Sequence, residues 1–368
     1  MVGMDSPRPC TGFCALAAVI LAAGGARAQA VSPRPEAPAA AVQQVTDELG
    51  RRVNIPQPLL RIVSLAPSLT ETLYALGAQE RLVGVTDYCD YPPEAQTKPK
   101  VGGPVNPNLE QVVALKPNLV LVTKAINRRE TVDALDRLGL AAYATDPRSV
   151  EAVLASTARL AELIGAREAG EALVAGLHVR LAELKQQLGA RPPRRVLFVV
   201  WQDPLISIGR ETFLADALRW AGAESVVDTR QDWPRVSFEE VVRLQPEYLV
   251  FASSHAEEEQ KSFAALREQP GWRSLDAVRH GRVAIISEAI SRPAPRLVGA
   301  IFDLARQLHP EAFAEKKQNG SGKIKNEPAR YSQADLLFSP FPLSVFPRPY
   351  LLAAAEPSAG EECPLCAR

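Results

Sequence analysis

The sequence has few of the residues that usually perform covalent chemistry or hold transition metals. Its 368 residues include four histidines and five cysteines, and none of the common phosphate-binding, zinc-protease or serine-hydrolase motifs is present. Cys89 stands between Asp87 and Asp90, whose negative charges would raise the pKa of the thiol and oppose a catalytic role. We therefore predict that the protein is not an enzyme and holds no resident metal or cofactor.

A surplus of charge of either sign is also missing. The 42 Lys and Arg residues equal the 42 Asp and Glu residues, which removes the usual electrostatic basis for nucleic-acid binding. After the N-terminus, no segment is apolar for the roughly 18 residues that a transmembrane helix requires. The chain is 46% hydrophobic and 23% charged, which is typical of a globular protein, and it is long enough for two domains.

The N-terminus has the layout of a secretory signal peptide. Arg8 provides a positive charge, residues 13–23 are apolar, and the small-Arg-small tripeptide at 26–28 resembles a cleavage site. We assign residues 1–28 to a signal peptide for export, and an uncleaved N-terminal anchor is the alternative. Residues 29–44 are Ala/Pro-rich and are predicted to form a flexible leader.

The other end of the chain is rich in Lys, Asn, Gly, Ser and Pro. We predict that the folded part ends near Phe313 and that residues 314–368 form a disordered tail. Cys363 and Cys366 make a CxxC pair in this tail, but no second pair or nearby histidine completes a zinc site. The pair is therefore interpreted as incidental.

Between these ends, apolar strand-like runs alternate with helix-like segments, which predicts a mostly parallel sheet. Gly50 is expected at the turn of a short N-terminal hairpin. Ser68 is predicted to cap a helix with Glu71 in its first turn, and Asn108 to cap a helix that Pro117 ends. The predicted strands are 61–65, 83–85, 119–122, 195–200, 248–251 and 283–286.

An internal repeat is the most informative feature of the chain. Residues 108–117, NLEQVVALKP, return as residues 237–246, SFEEVVRLQP, and each copy leads into an apolar strand. A second pair of segments, 69–78 and 214–223, matches in the same order. Two matches in the same order indicate a duplicated α/β unit.

The stretch between the two units is rich in helix-forming residues. One helical face carries Leu173, Leu177, Leu181, Leu184 and Leu188, and Gly189 ends the pattern. We predict two Rossmann-like α/β lobes, residues 45–165 and 191–313, joined by a single long helix over residues 166–190. A cleft between the lobes, lined by loops at the carboxyl ends of the strands, is the expected ligand site.

The loops that follow the predicted strands carry flat aromatic and charged side chains. Tyr88, Trp201 and Trp233 would suit a large ring-shaped ligand, which needs apolar contact area and a few polar contacts. Arg292 and Arg296 would suit a phosphate or carboxylate. Ordinary packing of the aromatic residues and ordinary solvation of the arginines are the alternative interpretation.

Glu110 and Glu239 occupy the same place in the two copies of the repeat. The helix dipole favours an acid in the first helical turn by about 0.3–1 kcal/mol, which would account for either residue alone. A symmetric pair of acids could also bind a two-fold partner that carries arginines. The residues by themselves leave both interpretations open.

Four segments of the chain resemble a known family. They are RIVSLAPS at 61–68, DYCDYPP at 87–93, the helix and strand at 108–120, and WPRVS at 233–237. Together they are similar to the cobalamin-binding proteins of bacterial ABC importers, and more broadly to the class that binds cobalamin, iron-siderophores or haem. The resemblance covers residues 45–313.

The resemblance implies the fold of a class III periplasmic binding protein, in which one rigid helix joins the lobes, and a location in the periplasm. It implies that Glu110 and Glu239 dock against arginines of a dimeric permease in the inner membrane. We expect the protein itself to be a monomer. The ligand contacts of the family fall on Tyr88, Trp233, Glu288 and Arg292.

The chain departs from the family pattern at three positions. Pro104 and Thr123 stand where the enteric cobalamin binder has tryptophans, and the aromatic residue after the first strand of the second lobe is shifted to Trp201. The expected ligand is cobalamin or a related corrinoid. Binding of haem or an iron-siderophore is the alternative, and a metal-dependent hydrolase is a third hypothesis.

Overall fold

The computed structural model describes residues 41–253, 267–269 and 271–314. The predicted signal peptide, most of the predicted leader, and the tail with its CxxC pair lie outside the described residues. The strands are β1 (Val42–Thr46), β2 (Arg52–Pro56), β3 (Ile62–Ser64), β4 (Leu82–Val85), β5 (Leu119–Thr123), β6 (Ala142–Thr145), β7 (Arg194–Val199), β8 (Trp201–Gln202), β9 (Leu205–Ile206), β10 (Ala223–Ser225), β11 (Tyr248–Ala252) and β12 (Val283–Ile286).

The helices alternate with these strands along the chain. They are α1 (Pro67–Ala75), α2 (Leu109–Ala114), α3 (Arg129–Arg137), α4 (Val150–Leu163), α5 (Arg167–Leu188), α6 (Phe213–Trp220), α7 (Phe238–Leu244), α8 (Asp276–Arg279), α9 (Leu297–Leu308) and α10 (Pro310–Ala314). Short 3₁₀ helices occupy Gln79–Arg81, Pro93–Thr97, Trp272–Ser274 and Glu288–Ser291.

Eight of these strands form two four-stranded parallel sheets with the same topology. The first has the order β4-β3-β5-β6 and the second has the order β10-β7-β11-β12. In each sheet the first strand along the chain lies between the second and the third, and the fourth is at the edge. The predicted architecture of two Rossmann-like lobes with parallel sheets is therefore confirmed.

The repeat extends to the backbone conformation where each copy ends. Lys116 and Gln245 have φ angles of 47° and 42°, and they are the two non-glycine residues with positive φ in the part of the chain that the structure describes. Each precedes a proline, Pro117 or Pro246. Because a proline disfavours the helical conformation of the residue before it, both copies leave the helix through the same left-handed turn.

The same equivalence holds for the side chains that close these helices. Arg61 Nη2 donates to the carbonyl of Leu115 at 2.7 Å, and Arg195 Nη2 donates to the carbonyl of Leu244 at 2.9 Å. Each arginine satisfies a carbonyl that the end of its helix leaves without an intrahelical partner. The duplication that the sequence predicted is thus also present in the contacts of the two lobes.

The predicted helix cap is confirmed at α2, has an equivalent at α7, and is wrong at α1. The side chains of Asn108 and Ser237 accept hydrogen bonds from backbone N–H groups three residues later. Ser68 instead lies inside α1, because the helix already begins at Pro67 with Ala66 as its N-cap residue. The ring of a proline fixes φ near the helical value, which favours proline at the first helical position.

The N-terminal hairpin begins within the segment that was predicted to be a flexible leader. Strand β1 starts at Val42, because residues 42–44 pair with Pro56, Ile55 and Asn54 of β2. Gly50 lies at the turn with a φ of 79°, as its position in the sequence predicted. The last residues of the predicted flexible leader are therefore part of an antiparallel pair.

Helix α5 is the long helix that joins the lobes. Its apolar face is buried at Leu177, Leu181, Leu184 and Leu188, and Leu173 packs against the hydrophobic clusters of both lobes. Helix α4 packs beside it, with Val150, Val153 and Leu154 in the cluster of the second lobe. Within the described ranges, no helix combines the length and the apolar character needed to cross a bilayer.

Candidate ligand-binding cleft

Charged side chains from both lobes meet beyond the carboxyl ends of their strands. From the first lobe, α1 follows β3 and carries Glu71, and the loop after β4 carries Asp90. From the second lobe, the segment after β12 carries Glu288, Arg292 and Arg296. We call these five residues the ion cluster. The carboxyl edge of parallel sheets is where ligands bind in α/β folds, so the cluster marks the candidate site.

Arg292 is the centre of the ion cluster. Its Nη1 donates to Glu71 Oε1 at 2.8 Å and to Asp90 Oδ1 at 2.6 Å. Its Nη2 donates to Asp90 Oδ2 at 3.1 Å and to Glu288 Oε2 at 3.0 Å. Both η nitrogens are thus occupied by carboxylates, and two of the three carboxylates come from the opposite lobe.

Arg296 completes the link between the lobes. Its Nε donates to Glu71 Oε2 at 3.0 Å and its Nη2 donates to Glu71 Oε1 at 2.8 Å, which is a bidentate pair. The guanidinium also lies over the ring of Tyr91, 3.6 Å from the ring centroid. Such cation–π contacts favour a positive charge on the aromatic face. The first lobe therefore contacts Arg296 through one acid and one aromatic ring.

The surroundings of the ion cluster shift the pKa values of two of its acids in opposite directions. Burial raises the pKa of Glu288, and the positive charge of Arg292 offsets this only in part. Burial also opposes ionisation of Asp90, but the hydrogen bonds and charge of Arg292 outweigh it and hold the pKa of Asp90 below its ordinary value of 3.8. Glu288 Oε1 is buried and has no hydrogen-bond partner among the described residues.

A second ion pair crosses between the lobes. Arg148, which follows β6, donates to both carboxylate oxygens of Asp232 at 2.7 and 3.1 Å. The backbone N–H of Val150 at the start of α4 also donates to Asp216 Oδ2 at 2.8 Å. The loop that carries Trp233 is therefore held beside the end of the first lobe's sheet.

The predicted aromatic residues of the second lobe come together. Trp201 and Trp233 are partly buried and pack against Ile206. The Nε1 of Trp201 donates to the carbonyl of Asp203 at 2.8 Å, and the loop of Trp233 pairs with the segment after β9 through Ser207 N–H and the Pro234 carbonyl, 3.1 Å apart. These contacts fix two flat side chains beyond the carboxyl ends of β7 and β10.

Asn127 organises the corresponding edge of the first lobe, and no sequence motif indicated this role. Its Oδ1 accepts from the Thr123 N–H at 2.7 Å, and its Nδ2 donates to the carbonyls of Leu65 and Pro104 at 2.9 and 2.8 Å. One buried amide therefore joins the loops that follow β3, β4 and β5. Pro104 and Thr123, the positions that depart from the family pattern, are both buried in this arrangement.

Tyr88 lies in the same loop as Asp90, beside a buried thiol. The Cys89 sulfur is within 3.1 Å of Thr70 Oγ1 and 3.2 Å of Thr86 Oγ1. Burial raises the pKa of Cys89, in the direction that its acidic neighbours had predicted. This sulfur therefore packs and contacts hydroxyls, and it positions the loop that carries Tyr88.

The structure thus brings together some of the residues that were predicted to bind the ligand. It brings Glu288 together with Arg292 in the ion cluster and Trp201 together with Trp233. Sequence reasoning missed Glu71 as a site residue, because its place in the first turns of a helix already explained it. Within the described residues, no group of three or more His, Cys, Asp or Glu side chains could hold a metal ion.

Glu110 and Glu239 are exposed and have identical local settings. Each is the second residue of its helix, and the preceding caps, Asn108 and Ser237, accept equivalent hydrogen bonds. Glutamate also occupies the second position of α3, α4 and α5. The helix dipole therefore accounts for the position of each acid, and only their equivalence in the duplicated lobes supports a shared partner.

Comparisons with known proteins agree with this architecture. Residues 62–289 match the family model of periplasmic binding proteins, and the chain belongs to this family. It is 29% identical over 280 residues to the ABC transporter substrate-binding lipoprotein YvrC of Bacillus subtilis, across 74% of this chain and 87% of that relative.

Two solved structures share the fold at similar identity. The periplasmic vitamin B12 binding protein BtuF of Vibrio cholerae is 26% identical with a TM-score of 0.62, over 70% of this chain and 99% of BtuF. The periplasmic haem-binding protein RhuT of Roseiflexus is 26% identical with a TM-score of 0.61, over 68% of this chain and 98% of RhuT. The resemblance drawn from the sequence to the cobalamin, siderophore and haem class is confirmed.

Proposed function

We propose that this protein is the substrate-binding subunit of an ABC importer and that it captures cobalamin or a related corrinoid between its lobes. It binds the ligand without changing it and delivers it to a permease dimer in the inner membrane. The predicted signal peptide and the family of periplasmic binding proteins support a periplasmic location.

One observation supports this function above the others. Charged and flat aromatic side chains lie on the segments that follow the strands of the two parallel sheets. The ion cluster supplies the polar groups through Arg292 and Glu288, and Trp201 with Trp233 supplies the aromatic surfaces. A large ring with polar substituents needs this combination of apolar area and a few fixed polar contacts.

Haem or a ferric siderophore is the second candidate ligand. The observation in its favour is that the haem-binding RhuT and the B12-binding BtuF have the same 26% identity to this chain. Overall similarity therefore does not separate the two ligands, and the side chains of the cleft must decide between them.

The purified mature chain should be titrated with cyanocobalamin, dicyanocobinamide, haem and a ferric siderophore in a calorimeter. We expect saturable one-to-one binding of the corrinoids. The variant Trp233→Ala should weaken this binding. The control variant Trp220→Ala, which changes a tryptophan at the C-terminal end of α6, should not. Binding of haem or the siderophore alone would replace the corrinoid by the second candidate, and absence of binding by every compound would contradict the proposed function.

Delivery to the permease requires a contact surface on each lobe. We assign this role to Glu110 and Glu239, because they are exposed, acidic and equivalent in the two lobes. A two-fold permease would present the same arginine-bearing surface twice, which suits a duplicated chain.

A further inference from the structure

The state of the two arginines in the cleft bears on which ligand can bind there. An arginine has five N–H donors and commonly binds carboxylate or phosphate groups. In this cleft, both η nitrogens of Arg292 already donate to Glu71, Asp90 and Glu288. An entering carboxylate could reach Arg292 only by displacing one of these acids, so each charge-assisted hydrogen bond that it gained would replace an existing one.

The net charge of the ion cluster also disfavours an entering carboxylate. Three carboxylates face two guanidinium groups, which is a formal surplus of one negative charge when every group is ionised. Glu71 and Arg292 are largely buried, with 3% and 13% of their side chains exposed, so solvent screens these charges poorly. A further carboxylate would add to this surplus, whereas a neutral group would not.

One atom of the cluster is left for a ligand to satisfy. Glu288 Oε1 is buried and has no partner among the described residues, although Oε2 of the same carboxyl accepts from Arg292 at 3.0 Å. A carboxyl oxygen in this setting accepts a hydrogen bond when ionised and can donate one when protonated. A primary amide both donates and accepts, so it can pair with Glu288 in either form.

Arg296 does not remove this preference. Its guanidinium could donate to an amide carbonyl or to a carboxylate alike. Its charge, however, is already shared with Glu71 through two hydrogen bonds. The difference between the two ligand types therefore depends on the summed charge of the cluster.

We propose that the ion cluster makes the cleft selective for ring ligands with neutral amide substituents and against ring ligands with carboxylate substituents. This inference rests on the function proposed above and names the ligand class within it. Corrinoids such as cobalamin carry amides around the ring, whereas haem carries two propionates and ferric siderophores are commonly anionic. Glu288 is the specificity-determining residue, with Glu71 and Asp90 supplying the remaining negative charge.

The test compares two ligands with the same ring and the same metal. The mature chain is titrated with dicyanocobinamide, which carries amides, and with dicyanocobyrinic acid, in which carboxylates replace them. We expect the amide ligand to bind at least about tenfold more tightly. Glu288→Gln, which keeps this side chain neutral at every pH, should reduce the ratio at a pH where Glu288 of the wild type is ionised.

The matched control is Glu151→Gln, because Glu151 is an exposed acid that pairs with His178 away from the cluster; this variant should leave the ratio unchanged. Equal or tighter binding of the cobyrinic acid would overturn the inference while corrinoid binding, and thus the proposed function, still holds. Binding of haem with no binding of cobinamide would overturn it as well. Failure of every corrinoid and haem to bind would instead contradict the proposed function itself, and the inference with it.

Discussion

Glu71 of the first lobe and Arg292 of the second form a hydrogen-bonded ion pair, with 2.8 Å between Oε1 and Nη1. Only 3% of the Glu71 side chain is exposed, so its charge depends on the two guanidinium groups beside it. Arg292 in turn holds Glu288 and Asp90. The loss of Arg292 would therefore leave one buried acid without its cation and would weaken the contact between the lobes.

The first prediction is that Arg292→Ala strongly destabilises the protein. Removal of one partner of a buried ion pair typically costs about 3–5 kcal/mol, because the remaining charge stays buried without compensation. Arg296→Ala should cost less, since Arg292 still neutralises Glu71 in that variant. The free energy of unfolding from urea denaturation of the full chain measures both effects.

Arg306→Ala is the matched control for this series. Arg306 pairs with Asp303 on the surface, where 60% and 57% of the two side chains are exposed. Exposed pairs of this kind contribute less than about 1 kcal/mol. A cost for Arg292→Ala that is no larger than that of Arg306→Ala would show that the ion cluster does not stabilise the folded chain.

The second prediction concerns pH. Burial raises the pKa of Glu288 above its ordinary value of 4.5, so at a pH between the unfolded and the folded pKa the folded protein holds a proton that the unfolded chain has released. The stability that this carboxyl contributes is present below the unfolded pKa and is lost as the pH rises through the folded pKa. Glu288→Gln keeps the neutral form at every pH. Relative to the wild type, the variant should therefore gain stability as the pH rises from the unfolded pKa through the folded pKa of Glu288.

Asp90→Asn should show the opposite dependence. Because the pKa of Asp90 is held below 3.8, its contribution is present above the unfolded pKa and is lost as the pH falls through the folded pKa. The cost of Asp90→Asn should thus be largest near neutral pH and should diminish in acid. Urea denaturation of both variants from acid to neutral pH measures the two differences, and slopes of the same sign would refute the assignment.

The duplication was predictable from the sequence because its signals are local. A cap residue, a pair of valines and a helix-ending proline recur in both lobes, and each acts within one helical turn of its position. The structure adds that Lys116 and Gln245, just before the two prolines, share a left-handed conformation. The sequence matched these two positions without indicating their conformation.

The ion cluster was predictable only in part, because its contacts are distant in the chain. Glu71 and Arg292 are 221 positions apart, and in the sequence Glu71 was explained by the first turn of a helix. Arg292 was predicted as a ligand contact, but nothing local shows that three acids of the same chain would surround it. The burial that perturbs Glu288 likewise arises only when both lobes are assembled.

The third prediction is that Asn127 positions the binding edge of the first lobe. Asn127→Ala leaves the buried carbonyls of Leu65 and Pro104 without their donor, and each such loss typically costs about 1–3 kcal/mol. Asn127→Asp should cost still more near neutral pH, because a carboxylate oxygen would then face both carbonyls. Urea denaturation gives the order of the two variants, and a milder effect of Asp than of Ala would contradict the hydrogen-bond assignment.

The fourth prediction is that Trp201 and Trp233 act together in ligand binding. Both pack against Ile206, so either substitution by alanine also loosens its neighbour. We expect each single variant to weaken corrinoid binding at least about tenfold, or by ~1.4 kcal/mol. The double variant should lose less than the sum, because the two side chains share Ile206 as a packing partner. Fully additive losses in calorimetric titrations would show that the two side chains act independently.

The fifth prediction separates docking from ligand capture. Glu110→Lys combined with Glu239→Lys should abolish ligand-dependent uptake in cells or permease-containing vesicles, because two like charges would then face the permease arginines. Ligand affinity of the purified variant should stay unchanged, since both residues are exposed to solvent in the first turns of α2 and α7. The control is Glu130→Lys combined with Glu168→Lys, because these acids also occupy the second position of their helices. If the control variant lost transport to the same extent, or if the Glu110 and Glu239 variant kept it, the two acids would serve the helix dipole alone.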